Sequence, residues 1–312
     1  MKKAGTYQNR QIGEIRVQSN NKIARLAGLL LIISIFFSAC QKDVIIDPQP
    51  KELQPYSFFV AGHTRGIYYA DNVGLHPPFM DKFGLINQRK TDLGFLLGDI
   101  VSVGTKKNWN EVDSVLQYLD NQVFFAVGNH DVTDRPLYES RYGKTYFDFE
   151  YEGDLFIILD PNINQWNISG NQLIFLQDLL ETEISDTANI FVFFHQLMWW
   201  EKDNKYGVLK LNSFEDKADT LNFWTEVEPL FHDLPNQIYM FAVDIGAADW
   251  SDDAMYDHYD NITFIATGMG EGVGDNFIFI DVDETGEVST EMIALNGDDI
   301  HAMGNIEDYQ IP

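Results

Sequence analysis

Two short polar blocks interrupt apolar runs in the first half of this chain. Gly98-Asp99-Ile100 follows Leu93 to Leu97, and Gly128-Asn129-His130-Asp131 follows Val123 to Val127. Three more polar residues stand in the same relation to apolar runs: His63 beyond Ser57 to Ala61, His195 at the end of Asn189 to Phe194, and Asp244 after Gln237 to Ala242. Carboxylate, carboxamide and imidazole side chains are ligands for hard or borderline divalent cations. A carboxylate bridging two such cations, with imidazole and carboxamide completing the shells, is a donor set that clamps an in-line displacement at phosphorus and supplies hydroxide near neutral pH. His130, next to Asn129, is placed to donate a proton to a leaving oxygen, and Asp131 to orient its ring. Arg65 carries the paired N–H groups that suit phosphate or sulfate. Taken singly, each residue has a plainer reading: Asp99 ends a strand, His195 is a satisfied core imidazole, Asp244 caps a turn, Arg65 pairs with one of many acids. The joint presence of Gly-Asp and Asn-His behind separate apolar runs favours the metal reading.

For these residues to meet, the runs before them must be strands lying side by side. Runs of about five residues, rich in Val and Phe and closed by Gly, read as buried strands. Helical stripes alternate with them. Asn108 stands before Trp109, Val112, Leu116 and Leu119; Ser169 before Leu173, Leu176, Leu180 and Ile184; Asp219 before Leu221, Trp224, Val227 and Phe231. Each leading residue suits an N-cap and each stripe a buried helix face. Strand-helix alternation predicts mostly parallel inner sheets, whose carboxyl edge is where ligands bind. Tyr146 to Glu150 and Leu155 to Leu159 predict a hairpin around Gly153. Ile262 to Ala266 and Phe277 to Ile280 are late strands, and glycines 268, 270, 272 and 274 form the turn between them. Residues 67–90, with Pro77-Pro78, read as loop. His76, His232, His258 and His301 read as surface or packing residues, and Trp199-Trp200 as packing.

The ends and the charge set the context. Lys2, Lys3, Arg10, Arg16, Lys22 and Arg25 precede an apolar run from Leu26 to Phe37, followed by Ser38-Ala39-Cys40. A basic region, a short apolar region and small residues at a cut make a secretory signal, and the run is short for a membrane span. Cys40, the only cysteine, leaves no internal disulfide to form. The segment resembles the lipobox of bacterial lipoproteins. That resemblance implies a signal peptide over 1–39, lipidation at Cys40, a tether over 40–55 and one domain over 56–312. The location it implies is the bacterial cell envelope, lipid-anchored at the outer membrane on its periplasmic or surface side. A formal net charge of −27 disfavours nucleic acid and anionic membrane as partners, since both call for a basic face. The membrane would be met only through the lipid.

Gly98-Asp99, Gly128-Asn129-His130-Asp131 and Phe193-Phe194-His195 together resemble signature blocks of the calcineurin-like metallophosphoesterase superfamily. His63-Thr64-Arg65-Gly66 and Asp244 stand where its first and last blocks belong, so the resemblance runs over roughly residues 56–281. It implies an α/β fold, a β-sandwich flanked by helices in four layers (αββα). It also implies one or two divalent metal ions (Mn, Fe or Zn) and hydrolysis of phosphate mono- or diesters. Two blocks depart from the pattern. Aligned on Gly66, His63 replaces an Asp and Arg65 a His; in the last block Asp244 replaces a His and the second His is lost. Carried over residue by residue, one metal keeps Asp99, Asn129, His195 and Asp244, while the other keeps Asp99 and His63. Arg65 would then supply positive charge where a cation was lost. The expectation from another class is a binding or assembly lipoprotein on a decayed catalytic scaffold.

Overall fold

The computed structural model describes residues 53–67, 73–182, 187–270 and 272–312. The expected signal segment, Cys40 and the tether up to residue 52 lie outside the described residues. One mixed sheet contains β1 (Tyr56–Gly62), β2 (Leu93–Leu97), β3 (Gln122–Ala126), β10 (Asn276–Val282) and β11 (Val288–Ala294), in the order β11-β10-β1-β2-β3. The other contains β4 (Phe147–Tyr151), β5 (Asp154–Ile158), β6 (Asn189–Phe193), β7 (Gln237–Ala242), β8 (Ala254–Tyr259) and β9 (Ile262–Thr267), in the order β4-β5-β6-β7-β9-β8. Strands β1, β2 and β3 run parallel, as do β5, β6, β7 and β9. The helices are α1 (Pro77–Met80), α2 (Phe83–Arg89), α3 (Lys106–Leu116), α4 (Arg135–Tyr142), α5 (Gly170–Thr182) and α6 (Pro229–His232).

The central strands are apolar at nearly every position because both of their faces are covered. Phe58, Val60, Phe95, Leu97, Phe124 and Ile278 face inward, against Phe156, Ile158, Phe191, Phe193, Phe241 and Ile265 of the other sheet. Phe59, Ala61, Leu96, Phe125 and Phe277 face out onto Phe79, Phe83, Trp109, Val112 and Tyr138 of α1 to α4. Ile157, Ile190, Val192, Met240 and Phe264 face out onto Leu176 and Leu180 of α5 and onto Phe223 and Phe231. Four layers result, as the resemblance implied. The two sheets are joined by a phenylalanine stack. Phe95 and Phe193 lie 4.1 Å apart at an interplanar angle of 6°, and Phe193 and Phe241 lie 5.2 Å apart at 12°. Phe95 and Phe193 stand just upstream of Asp99 and His195, so this contact sets the distance between the two strand ends that carry polar residues.

Several expectations need correction. Residues 67–90 are not all loop: α1 and α2 lie there, with Pro77 at the start of α1, where its missing N–H costs nothing. The third helix begins before Asn108; Thr105 is its cap, accepting from the Asn108 backbone N–H. The helix expected after Asp219 is a π-helical turn over Phe223–Val227 followed by the four-residue α6, and Pro229 at the junction cannot donate a helical bond. Strands β8 and β11 were not foreseen. Both are sheet edges whose sequences, AMYDHY and VSTEMIA, mix polar with apolar residues. The buried Asp257 of β8 is satisfied by the Tyr206 hydroxyl (2.5 Å) and the Lys205 ammonium (2.6 Å).

Truncating a buried, stacked phenylalanine leaves a cavity in a close-packed core, at a cost of about 3–5 kcal/mol. Phe95→Ala is therefore expected to lower the urea-unfolding free energy by that amount. A loss below about 1 kcal/mol would show that the stack does not hold the sheets.

Candidate metal centre

Parallel neighbours end together, so their loops gather at one edge. Gly62 pairs with Leu97, and Leu97 with Ala126, which places His63, Asp99 and Asn129 just beyond three aligned strand ends. In the other sheet Phe193 pairs with Phe241, bringing His195 and Asp244 to the same edge. The two edges touch. His195 Nδ1 lies 3.2 Å from the Leu97 carbonyl oxygen, across the sandwich. Glycine is needed where they meet: a Cβ on Gly98 would fall 2.4 Å from the His195 ring, and one on Gly128 would fall 2.4 Å from Asp99. Asp99 and His63 themselves hold left-handed backbone, at φ 48° and 53°, a conformation that costs a non-glycine residue free energy and clusters at functional sites.

Asp99 is the hub, and its two oxygens face different surroundings. On the Oδ2 side, Arg65 Nε donates at 3.2 Å, His63 Nε2 lies at 3.3 Å and His130 Nε2 at 3.8 Å. On the Oδ1 side, His195 Nε2 lies at 3.5 Å and the His130 backbone N–H donates at 3.4 Å. Asp244 Oδ1 is 4.0 Å from the same His195 nitrogen.

The three imidazoles share one orientation rule. His63 Nδ1 meets the Met269 carbonyl (3.1 Å), His195 Nδ1 the Leu97 carbonyl (3.2 Å) and His130 Nδ1 the Ser102 carbonyl (2.8 Å). A carbonyl only accepts, so Nδ1 carries the hydrogen in each ring, and in the neutral ring Nε2 is a bare lone pair. Each Nε2 points toward the Asp99 carboxylate, which is also an acceptor. Around His63 and His130 the conflict is resolved by Arg65, one of whose terminal nitrogens lies 3.4 Å from both rings and can donate an N–H to each. Around His195 it is not. His195 Nε2 is buried with no hydrogen-bond partner among the described residues, facing two carboxylates.

The titration behaviour follows from this packing. Burial pushes the Asp99 carboxyl up, but His195, His63 and His130, wherever they carry a proton on Nε2, outweigh it and hold the group well below the usual carboxylate range. Burial pushes Asp244 up to about 6; the Asp99 charge adds to the rise, and His195 opposes it. Burial, reinforced by the Asp99 charge, pushes Asp131 up to about 8 against the pull of the Gly128, Val101 and Ile100 amides.

Two sequence assignments look different in the structure. Asp131 does not orient His130. Its Oδ1 accepts from the Ile100 and Val101 amides and its Oδ2 from Gly128, so it ties the loop after β2 to the loop after β3. The Ser102 carbonyl holds the ring instead. Asn129 stands at the rim, its amide donating to Glu215 at 3.3 Å. Residues without a foreseen role also act here. The Asn212 side chain donates to the Ile245 carbonyl and accepts from the Ala247 amide, and its own N–H bonds the Asp244 carbonyl, so it braces the Asp244 loop. His76 pairs with buried Asp275 at 3.2 Å, consistent with a packing role. Beside His130 opens a cleft of about 430 Å³, whose lining includes Asn129, Asn162, Gln165, Trp166, Glu215 and Asp216.

A scan against protein-family models and a search of curated proteins find no match for this chain. Solved structures do match. A dimetal phosphatase from Danio rerio superposes with a TM-score of 0.53 at 13% identity, covering 77% of this chain and 99% of that one. The purple acid phosphatase PPD1 from yellow lupin (Lupinus luteus) superposes with a TM-score of 0.57 at 12% identity, covering 81% of this chain; the match spans 54% of that longer chain. The chain has the calcineurin-like metallophosphoesterase fold.

Whether a cation suits these residues can be judged side by side. Among the described residues, no three His, Cys, Asp or Glu side chains already converge as a closed shell. Ligands bound tetrahedrally at zinc-like distances stand about 3.4 Å from one another. The Oδ1 side, with separations of 3.5 and 4.0 Å, needs only a small inward movement, and its acceptors lack any positive partner between them. That side fits one cation. The Oδ2 side does not, because Arg65 already stands among its donors.

Without a cation, Asp244 stabilises the fold only while protonated. Its folded value lies above the unfolded one, so this stability is complete below the unfolded value near 4 and is lost as pH rises through about 6. In chelator-treated protein, melting temperature is expected to fall between pH 4 and 7; Asp244 contributes up to about 3 kcal/mol of that loss of stability and the raised Asp131 the rest, so Asp244→Asn should make the slope shallower. An unchanged slope in the variant would remove Asp244 as the cause.

Proposed function

We propose that this chain is a phosphoric ester hydrolase working with one divalent cation held on the Oδ1 side of Asp99. The observation that carries the reading is the buried His195 Nε2, which has no hydrogen-bond partner among the described residues and faces a carboxylate oxygen of Asp99 and one of Asp244. Three acceptors pointed at one another in a dry setting call for a proton or a cation, and a cation is the occupant that serves phosphate chemistry. The fold shared with two phosphatases supports the choice of phosphate esters. Asp99, His195 and Asp244 would hold the cation, with Asn129 as the fourth ligand that the sequence resemblance supplies. When bound, Mn, Fe or Zn would stabilise charge developing at phosphorus and lower the pKa of water at the site.

The chain's own residues then divide the remaining work. His130 has Nδ1 committed to Ser102 and Nε2 toward the centre, with a side chain 19% exposed. Nε2 is thus the atom that would carry a proton to the leaving oxygen. The adjoining cleft receives the alcohol portion of the ester. Left-handed backbone recurs at its wall, at Gln165, Trp166 and Asp216, and local strain of this kind is retained where a surface must be held in one shape. The fold is further proposed to act outside the cytoplasm, tethered through lipidated Cys40.

Chain from Cys40 onward, loaded with Mn, Fe or Zn, is expected to hydrolyse aryl phosphate mono- or diesters. Asp99→Asn should reduce this to background, and His130→Ala should lower kcat about 10²–10⁴-fold. Parent activity no greater than that of Asp99→Asn defeats the proposal. For the tether, Cys40→Ser should abolish palmitate labelling and move the protein out of the membrane fraction; a labelled variant would show another anchor.

A further inference from the structure

We infer that Arg65 takes the place of a second cation, making the centre mononuclear, with a guanidinium as its other positive pole. The inference rests on the cation proposed above. It concerns the opposite side of Asp99 and stands on separate contacts.

Arg65 is placed by the backbone before its side chain acts. Its N–H donates to the Asp99 carbonyl at 2.9 Å, and the His63 N–H donates to the Gly98 carbonyl at 3.2 Å, zipping the loop after β1 to the loop after β2. Left-handed geometry at His63 and at Gly66 (φ 53° and 74°) folds the loop back. The side chain, 5% exposed, consequently enters the centre rather than solvent. There its Nε donates to Asp99 Oδ2, and one terminal nitrogen reaches His63 Nε2 and His130 Nε2.

Those three acceptors, one carboxylate oxygen and two imidazole nitrogens, form a ligand set of the type a divalent ion takes. Each imidazole is also braced through Nδ1 on a backbone carbonyl, as metal-bound histidines commonly are. The guanidinium satisfies all three acceptors at once. Its planar set of N–H donors suits several acceptors, and its charge persists at every working pH. A cation entering here would have to displace a buried, fixed positive charge, and Coulomb repulsion at such separations opposes it strongly. The centre therefore offers a bound phosphoryl group two unlike positive poles on either side of Asp99.

The experiment counts metal. Parent, Arg65→Ala and Arg65→Lys proteins are equilibrated with excess Zn or Mn, freed of loose ions by gel filtration and assayed by elemental analysis. Thermal unfolding is measured alongside to verify folding. Arg65→Ala frees Asp99 Oδ2, His63 Nε2 and His130 Nε2, and should bind one equivalent more than the parent. Arg65→Lys retains a cation among those acceptors and should match the parent. A parent holding two equivalents, or an Arg65→Ala protein with no additional equivalent, overturns the inference. If Arg65→Ala fails to fold, a folded Arg65→Lys protein that gains an equivalent also overturns it, and one that matches the parent supports it. Whether the parent holds one equivalent or none is a separate result: none defeats the cation of the proposed function, while an increment in Arg65→Ala still supports the role assigned to Arg65.

Discussion

A carboxylate that is 3% exposed sits where two β-sheets meet, and the surrounding architecture answers to its charge. Burying an isolated carboxylate costs far more than a domain's net stability, so such a group persists only amid positive charge or hydrogen-bond donors. Asp99 has both within reach, the Arg65 guanidinium and the His130 amide, and three imidazole nitrogens gather around it. Assembling them demands contributions from both sheets. The loop after β1 brings His63 and Arg65, the loop after β3 brings His130, and the loop after β6 brings His195. Had either strand slipped by one residue in its pairing, its side chain in the Phe95–Phe193 stack would face the wrong layer. The stack thus holds the register on which the polar cluster depends.

The sequence revealed the strands where burial made them simple. Leu93–Leu97 and Gln237–Ala242 were legible to the residue, because a strand covered on both faces is an unbroken apolar run. The edge strands β8 and β11 were not, because one side of an edge tolerates polar residues and the apolar signal fades. Helix starts were misplaced for a related reason. Thr105, Asn108 and Asp219 are all competent caps, and local composition does not choose among them.

The site was legible as a set of residue types and much less as a geometry. Gly-Asp and Gly-Asn-His-Asp marked the strand ends correctly. What orients the imidazoles could not be read, because the acceptors are carbonyls of Leu97, Ser102 and Met269, and a backbone carbonyl has no sequence signature. Asp131 was misread on the same account: next to a histidine it invites a catalytic pairing, yet its oxygens brace three amides. In the first block a left-handed turn at His63 lets the His63 and Arg65 side chains both reach Asp99.

The residues that depart from the pattern the sequence resembles can be weighed together by charge. Against that pattern, Asp244 in place of a neutral histidine adds a negative charge, Arg65 in place of another adds a positive one, and His63 in place of an Asp removes a negative one. With the imidazoles neutral, Asp99, Asp244 and Arg65 leave the buried centre one negative charge in excess. The rise of Asp244 to about 6, driven first by burial and then by Asp99, is how that excess is relieved by a proton. A single divalent ion relieves it better and turns the excess positive by one, the sign an anionic phosphate ester needs. A second divalent ion beside Arg65 would leave three positive charges uncompensated in a setting with little water to screen them. One cation with one arginine, as proposed above, is the occupancy that would leave this centre a single positive charge.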